Sequence, residues 1–172
     1  SISQYHFTAN KEFKKNVKKI VGNNCHVESV GALCLDNIYN FRKISQNEIE
    51  KKYKFKFMKK KLILTLHPET LAKISPLKQI KTVLSAINYF KDIQFIITAP
   101  NIDPGSKVFF REISKYKSKN NNIIFIRSLG SDYYHSLLQY SNGVLGNSSS
   151  GIIEVPYHNK GTINIGDRQK GR

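Results

Sequence analysis

Residues 143–172 read GVLGNSSSGIIEVPYHNKGTINIGDRQKGR, the most informative stretch of the chain. An apolar run ending at Leu145 predicts a strand, and a small polar turn follows over residues 146–151. Residues 152–155 predict a short helix that a proline ends, and residues 162–165 predict a second strand. Strand, turn, helix and strand in this order are typical of a sheet with parallel strands.

The turn at residues 146–151 is predicted to bind an anion. It offers backbone N–H groups and three serine hydroxyls at the positive end of the predicted helix, which suits a phosphate or a diphosphate. Glu154, about one turn into that helix, could accept hydrogen bonds from the vicinal hydroxyls of a sugar. Arg168 and Arg172 add cations that could pair with phosphate. Taken alone, a serine-rich turn before a helix is more often a simple N-cap.

From Leu62 onward, strands and helices are predicted to alternate. Strands are expected over residues 62–66, 93–98, 123–126, 144–145 and 162–165, and helices over 76–89, 105–117 and 132–140. The last of these helices is expected to be capped by Ser131 or Asp132. This alternation predicts an α/β fold with a doubly wound parallel sheet over residues 62–172.

Residues 1–45 are interpreted as the tail of an N-terminal domain followed by a crossing between domains. The pattern predicts a strand over residues 5–9, a helix from a cap at Asn10, a strand over 26–30, and a further short helix over 36–41. A chain that opens on strand, helix and strand is interpreted as truncated at its start. It is interpreted as truncated at its end as well, because the closing helices of such a domain are missing.

Residues 46–61 are predicted to be a lysine-rich linker between the two domains. The stretch KKYKFKFMKKK at residues 51–61 interleaves lysines with aromatic residues. Such a pattern can mark a nucleic-acid or membrane patch, but a solvated linker is the more common explanation.

The composition argues against a nucleic-acid reader, a membrane protein and a cysteine-based metal site. The formal net charge of +16 comes mostly from lysine, whereas arginine would be favoured for reading bases or phosphates. The absence of a membrane-length apolar run and of a signal-peptide pattern predicts a cytoplasmic location without a membrane partner. Cys25 and Cys34 lack metal-ligand spacing and are expected to be free or buried thiols.

Polar residues follow three of the predicted strands where a ligand would bind. His67 follows the first strand, residues 101–107 follow the second, and residues 147–151 follow the fourth. In an open parallel sheet, ligands bind at the carboxyl ends of the strands, so one shared site is expected. His67 alone is as consistent with a local hydrogen bond, and His135 is interpreted as a surface or packed helix residue.

The segments 146–151 and 163–172, together with Glu154, closely resemble the hydrolysing UDP-N-acetylglucosamine 2-epimerases. This family supplies N-acetylmannosamine or a related sugar to sialic-acid-type pathways. The resemblance implies a GT-B architecture, with two Rossmann-like domains and the C-terminal one in this chain. It implies elimination of UDP to a 2-acetamidoglucal and then hydration, with no cofactor and no metal. The acid and base carboxylates are expected on the N-terminal domain, outside this chain.

The resemblance also implies roles for single residues. His67 would contact the substrate and could act as an acid, and Asn101 and Lys107 would line the nucleotide site. The turn that begins at Asn147 would hold the diphosphate through Ser148 and Ser149. Glu154 would bind the ribose, and Arg168 would lie next to the substrate. Residues 127–130 occupy a place where a loop backbone could contact the base.

Three alternatives remain open. The first is a hydrolysing 2-epimerase of another nucleotide sugar, such as diacetylbacillosamine linked to UDP or GDP. The second is a basic nucleic-acid-binding module centred on residues 51–61, which the scarcity of arginine disfavours, and the third is a structural or regulatory domain. The favoured hypothesis predicts a UDP-sugar partner, no nucleic acid, and a homo-oligomer for the full-length protein. It predicts that this chain alone binds UDP weakly and does not turn over.

Overall fold

The computed structural model describes residues 3–22 and 24–171. Contacts divide the chain into two units, with Phe41 ending the first and Arg42 opening the second. Arg172 lies outside the described residues, so its pairing with phosphate stays a prediction.

The first unit follows the predicted order of strand, helix, strand and helix. Its elements are β1 (Tyr5–Thr8), α1 (Lys11–Val21), β2 (His26–Ser29) and α2 (Cys34–Asn40). The two strands pair in parallel, with Tyr5 opposite His26. The predicted cap of α1 is confirmed, because Asn10 Oδ1 accepts the backbone N–H of Phe13 at 2.8 Å.

The second unit contains a five-stranded parallel sheet. Its elements are α3 (Gln46–Tyr53), β3 (Lys60–Thr65), α4 (Pro76–Ile87), β4 (Ile93–Thr98), α5 (Ser106–Lys117), β5 (Ile123–Ile126), α6 (Ser131–Tyr140), β6 (Gly143–Gly146), α7 (Ser150–Ile153), a 3₁₀ turn (Pro156–His158) and β7 (Gly161–Asn164). The strand order is β5-β4-β3-β6-β7. The chain therefore runs from β3 to one edge and returns to the other side of β3, which places the switch point between β3 and β6.

Helices cover both faces of this sheet, as the doubly wound prediction requires. Alternate residues of a strand point to opposite faces. On one face, Leu64 and Ile97 pack in a cluster with residues of α4 and α5, and on the other, Ile63 and Ile96 pack with residues of α6. The predicted fold class is therefore confirmed.

The prediction of a solvated linker over residues 46–61 is wrong for most of that stretch. Residues 46–53 form α3, in which Ile49 is fully buried, and β3 begins at Lys60. The Glu50 carboxylate accepts the backbone N–H of Phe57 at 2.8 Å and pairs with Lys56. These bonds fix the bend that leads from α3 towards β3.

Two local predictions also need correction. Neither Ser131 nor Asp132 caps α6, because the helix begins at Ser131 after Gly130 at φ +72° without a side-chain cap. The last strand ends at Asn164 rather than at residue 165. In the described part of the chain, no helix combines the length and the apolar character needed to cross a membrane.

Candidate functional site

A cleft of about 870 Å³ opens at the carboxyl ends of the central strands of the second unit. Its lining consists of residues 98–102, 127–130 and 148–150 together with Thr65, His67, Tyr134 and Arg168. The loops after β3, β4, β5 and β6 therefore meet at one place, where a parallel sheet binds its ligands.

The turn after β6 starts in close contact with the neighbouring strand. Gly146 has φ +143°, and a Cβ added to it would lie 1.9 Å from the carbonyl oxygen of Thr65. The next residue, Asn147, donates its backbone N–H to that same oxygen at 3.0 Å. Only glycine fits this crossing, and the crossing carries the following serines to the edge of the cleft.

Asn147 connects the loops beneath the cleft instead of lining it. Its side chain is 2% exposed, its Nδ2 donates to the His67 carbonyl at 2.8 Å, and its Oδ1 accepts the His67 backbone N–H at 2.7 Å. Its own carbonyl accepts Gln169 Nε2 at 2.7 Å. A buried asparagine whose amide bonds the backbone of His67 on both sides positions the His67 loop.

His67 is a neutral hydrogen-bond donor at the floor of the site. Its Nδ1 accepts the backbone N–H of Asn101 at 3.1 Å, which places the proton of the neutral ring on Nε2. Burial lowers the pKa of His67, the charge of Arg168 lowers it further, and Asp103 opposes both. The ring is therefore uncharged at neutral pH, so it can donate a hydrogen bond without adding a charge.

Arg168 is the cation that the structure brings to the cleft from beyond β7. Its Nη1 donates to the Asn147 carbonyl at 3.2 Å, and its Nη2 lies 3.9 Å from Asp103 Oδ2. Its backbone N–H donates to Glu69 Oε1 at 3.3 Å. Contacts to two loops orient the guanidinium, which is 27% exposed, and the backbone contact to Glu69 holds the residue to a third loop. Oriented guanidinium groups suit the recognition of phosphate oxygens.

Ser148 and Ser149 line the cleft as predicted, but the helix that follows them is short. Helix α7 has four residues, Ser150–Ile153, which is the predicted length but begins two residues earlier than predicted, so its dipole is small. An anion at this turn would therefore meet mainly the two hydroxyls, and Arg168 lines the same cleft. The third hydroxyl, of Ser150, is engaged by Tyr134 Oη.

The whole chain, residues 1–172, matches the family model described as UDP-N-acetylglucosamine 2-epimerase. The chain belongs to this family. The resemblance drawn from the turn and the C-terminal segment is thereby confirmed at the level of the family.

Two relatives within the UDP-N-acetylglucosamine 2-epimerase family are similar along the chain. The polysialic acid biosynthesis protein P7 of Escherichia coli is 39% identical over 172 residues, which are 99% of this chain and 44% of that protein. The GDP/UDP-N,N'-diacetylbacillosamine 2-epimerase (hydrolyzing) of Campylobacter jejuni is 33% identical over 99% of this chain and 45% of its own length. The chain therefore spans less than half the length of these relatives.

Solved structures of 2-epimerases share the fold. The Neisseria meningitidis UDP-GlcNAc 2-epimerase, bound to UDP-GlcNAc, superposes with a TM-score of 0.73 at 18% identity over 96% of this chain and 45% of its own. Staphylococcus aureus MnaA, solved with UDP, gives 0.68 at 22% identity over 92% of this chain and 41% of its own. The chain thus has the fold of one half of a two-domain 2-epimerase.

The epimerase site does not include every residue that the sequence indicated. Lys107 and Glu154 are not among the described residues that line the cleft. Lys107 is exposed on the first turn of α5, and Glu154 is half-buried at the end of α7. His67, Asn101, Ser148, Ser149 and Arg168 do meet at the cleft.

Tyr134 lines the cleft although the sequence did not indicate it. It reaches the site from α6, and burial raises its pKa to about 12, so its hydroxyl stays protonated. No local motif marks this residue, since it meets Ser150 only through the packing of α6 beside the turn. His135, the next residue, is packed as expected, at 3% exposure.

Within residues 3–22 and 24–171, no group of three or more His, Cys, Asp or Glu side chains is arranged to bind a metal ion. Cys25 and Cys34 are free thiols, as expected.

Proposed function

We propose that this chain supplies the UDP-binding half of a hydrolysing UDP-N-acetylglucosamine 2-epimerase. The observation that carries the proposal is the meeting of two serine hydroxyls, His67 and Arg168 on one cleft at the carboxyl ends of parallel strands. Hydroxyls, a neutral imidazole donor and a fixed guanidinium together match the oxygens of a diphosphate.

In this proposal the diphosphate of UDP lies between the 148–149 hydroxyls and the Arg168 guanidinium. Asp103, 3.9 Å from Arg168 Nη2, keeps that cation oriented while the cleft is empty of ligand. The ribose extends towards Glu154, and the base lies against the backbone of residues 128–130, which line the same cleft.

The proposed reaction breaks the bond between C1 of the sugar and the diphosphate oxygen. Loss of the C2 proton to a carboxylate outside this chain forms the 2-acetamidoglucal and releases UDP. Arg168 and the serine hydroxyls stabilise the negative charge that develops on the departing diphosphate, and His67 Nε2–H donates a hydrogen bond to it. Water then adds, with inverted configuration at C2, to give free N-acetylmannosamine.

Product analysis tests the hydrolytic assignment. With UDP-N-acetylglucosamine, we expect a longer protein that contains this chain to release UDP and free N-acetylmannosamine in equal amounts. The 172-residue chain alone is expected to release neither, because the C2 base is proposed to lie outside it. Anion-exchange chromatography with sugar analysis separates these products. An epimerised UDP-sugar in place of free sugar would contradict hydrolysis.

A second candidate is a hydrolysing 2-epimerase of a diacetylbacillosamine nucleotide. The 33% identity to the Campylobacter jejuni enzyme of that name favours it. Parallel incubations with UDP- and GDP-linked diacetylbacillosamine distinguish the candidates, since only the true substrate gives a free sugar at low enzyme concentration.

A further inference from the structure

Helix α6 contacts both ends of the segment of residues 150–158, which carries Glu154. At the start of the segment, Tyr134 Oη and Ser150 Oγ share a hydrogen bond. At its end, His135 Nδ1 lies 3.1 Å from His158 Nε2, and the two imidazole rings stack with centroids 5.3 Å apart. Two adjacent residues of α6 therefore hold residues 150 and 158, and Glu154 lies midway between these contacts.

The other side of the segment is held by β7. Thr162 Oγ1 donates to the Gly151 carbonyl at 2.8 Å, and a Cβ added to Gly151 would lie 2.8 Å from Thr162 Cγ2. The start of the segment is thus held on both sides. Its end is held by the fully buried Val155 and by the histidine pair, in which His135 is buried and His158 is half-buried.

We propose that His135 and His158 are positioning residues, whose mutual hydrogen bond holds Glu154 where it can accept hydrogen bonds from the ribose of a bound nucleoside diphosphate. The inference rests on the proposed function, because it takes Glu154 as the group that contacts the ribose. Like Glu154 itself, neither histidine lies among the described residues that line the cleft, and the proposal has both act through the segment.

The histidine link depends on a single proton between the two facing nitrogens. One nitrogen donates and the other accepts, so protonation of both rings would set two N–H groups and two positive charges against each other. Burial lowers the pKa of His135, while Glu154 and Asp132 oppose the shift. Burial and His135 lower the pKa of His158, with Glu154 opposing and Lys160 adding to the shift.

The direction of the pH effect follows from these shifts. Because both pKa values lie below the ordinary histidine value, the pair is neutral and the link intact at neutral pH. The link persists while one ring stays neutral, and it is lost as the pH falls from about 6.5 through the lowered pKa values and the second ring is protonated. Glu154 would then lose one of the contacts that hold the end of its segment.

Two substitutions of His158 distinguish the effect of the hydrogen bond to His135 from the effect of protonating the imidazole. His158→Phe keeps an aromatic ring but removes the hydrogen bond. His158→Gln offers an amide that can donate or accept in place of Nε2, and it does not titrate. At pH 7.5 we expect His158→Phe to weaken UDP binding about fivefold and His158→Gln to change it by less than about twofold. His26→Gln, in the first unit, is the matched control and should bind UDP as the wild type does.

The pH dependence of UDP binding distinguishes a positioning role of His158 from a purely structural one, which would not make the affinity ratio of the two proteins depend on pH. We expect the ratio of wild-type to His158→Gln affinity to fall about fivefold between pH 7.5 and pH 5.0, because only the wild type loses the link. Comparing the two proteins at the same pH cancels the titration of the UDP phosphate and of His67. Circular dichroism at each pH verifies that both proteins are folded.

The outcomes separate this inference from the function on which it rests. If the wild type binds UDP and the wild-type and His158→Gln affinities keep one ratio at both pH values, the positioning role is wrong and the proposed function stands. The same holds if a folded His158→Phe variant binds as tightly as the wild type. If the wild type does not bind UDP at pH 7.5, both proposals fail.

Discussion

Replacing Gly146 with alanine is expected to lower the free energy of unfolding by about 3 kcal/mol or more. Gly146 ends β6 at φ +143°, a conformation that side chains disfavour, and the new Cβ would lie 1.9 Å from the Thr65 carbonyl oxygen. That oxygen is backbone of the central strand β3, so it cannot move aside without disturbing the sheet. Urea denaturation, followed by circular dichroism, measures the loss.

Gly161 provides the matched control for this substitution. It begins the neighbouring strand β7, where an added Cβ meets no heavy atom within 4 Å. Gly161→Ala is therefore expected to change the free energy of unfolding by less than about 1 kcal/mol. Equal losses in the two variants would mean that β6 does not cross Thr65 as described.

Replacing Arg168 with alanine is expected to weaken UDP binding by roughly 30-fold, with little change in stability. The guanidinium is the cation that faces the serine hydroxyls across the proposed diphosphate site. The Asn147 carbonyl, which it contacts, keeps its hydrogen bond from Gln169, so the loop stays supported. Calorimetric titration with UDP measures the change in affinity.

Two further arginine variants make this test specific. Arg111→Ala removes an exposed arginine of α5 that pairs with Glu112, and it should leave UDP binding unchanged. Arg168→Lys keeps the charge but loses the planar fork of donors, so an intermediate affinity is expected. If Arg168→Ala bound UDP as tightly as the wild type, the diphosphate could not lie beside Arg168 as proposed.

The sequence predicted the α/β domain well because its strands are short apolar runs bounded by turn residues. β4, for example, has four consecutive buried residues and was predicted with its observed bounds. Helix α3 was missed because only Ile49 and Glu50 are buried on it, too few to give a helical period among the lysines. The aromatic residues that follow α3 are packed rather than solvated, since Phe57, for example, contacts the ring of Tyr140.

The site was predictable where a residue directly follows a strand. His67 and Ser148 are of this kind, since the end of a parallel strand fixes where the next residues lie. Asn147 was taken as a ligand-binding residue, because the sequence does not reveal that its amide bridges the His67 backbone 80 residues away. The contact of His135 with His158 depends on how α6 packs, so the spacing of the two histidines in the sequence does not predict it.

The most direct test is a calorimetric titration of this chain with UDP at moderate salt, beside the Ser149→Ala variant. We predict saturable binding of one UDP, with a dissociation constant of roughly 0.1–1 mM, and loss of that binding in the variant. Equal binding by both proteins would place the nucleotide elsewhere. No UDP binding, together with salt-sensitive binding of an oligonucleotide, would contradict the account and direct attention to the lysines of residues 51–61.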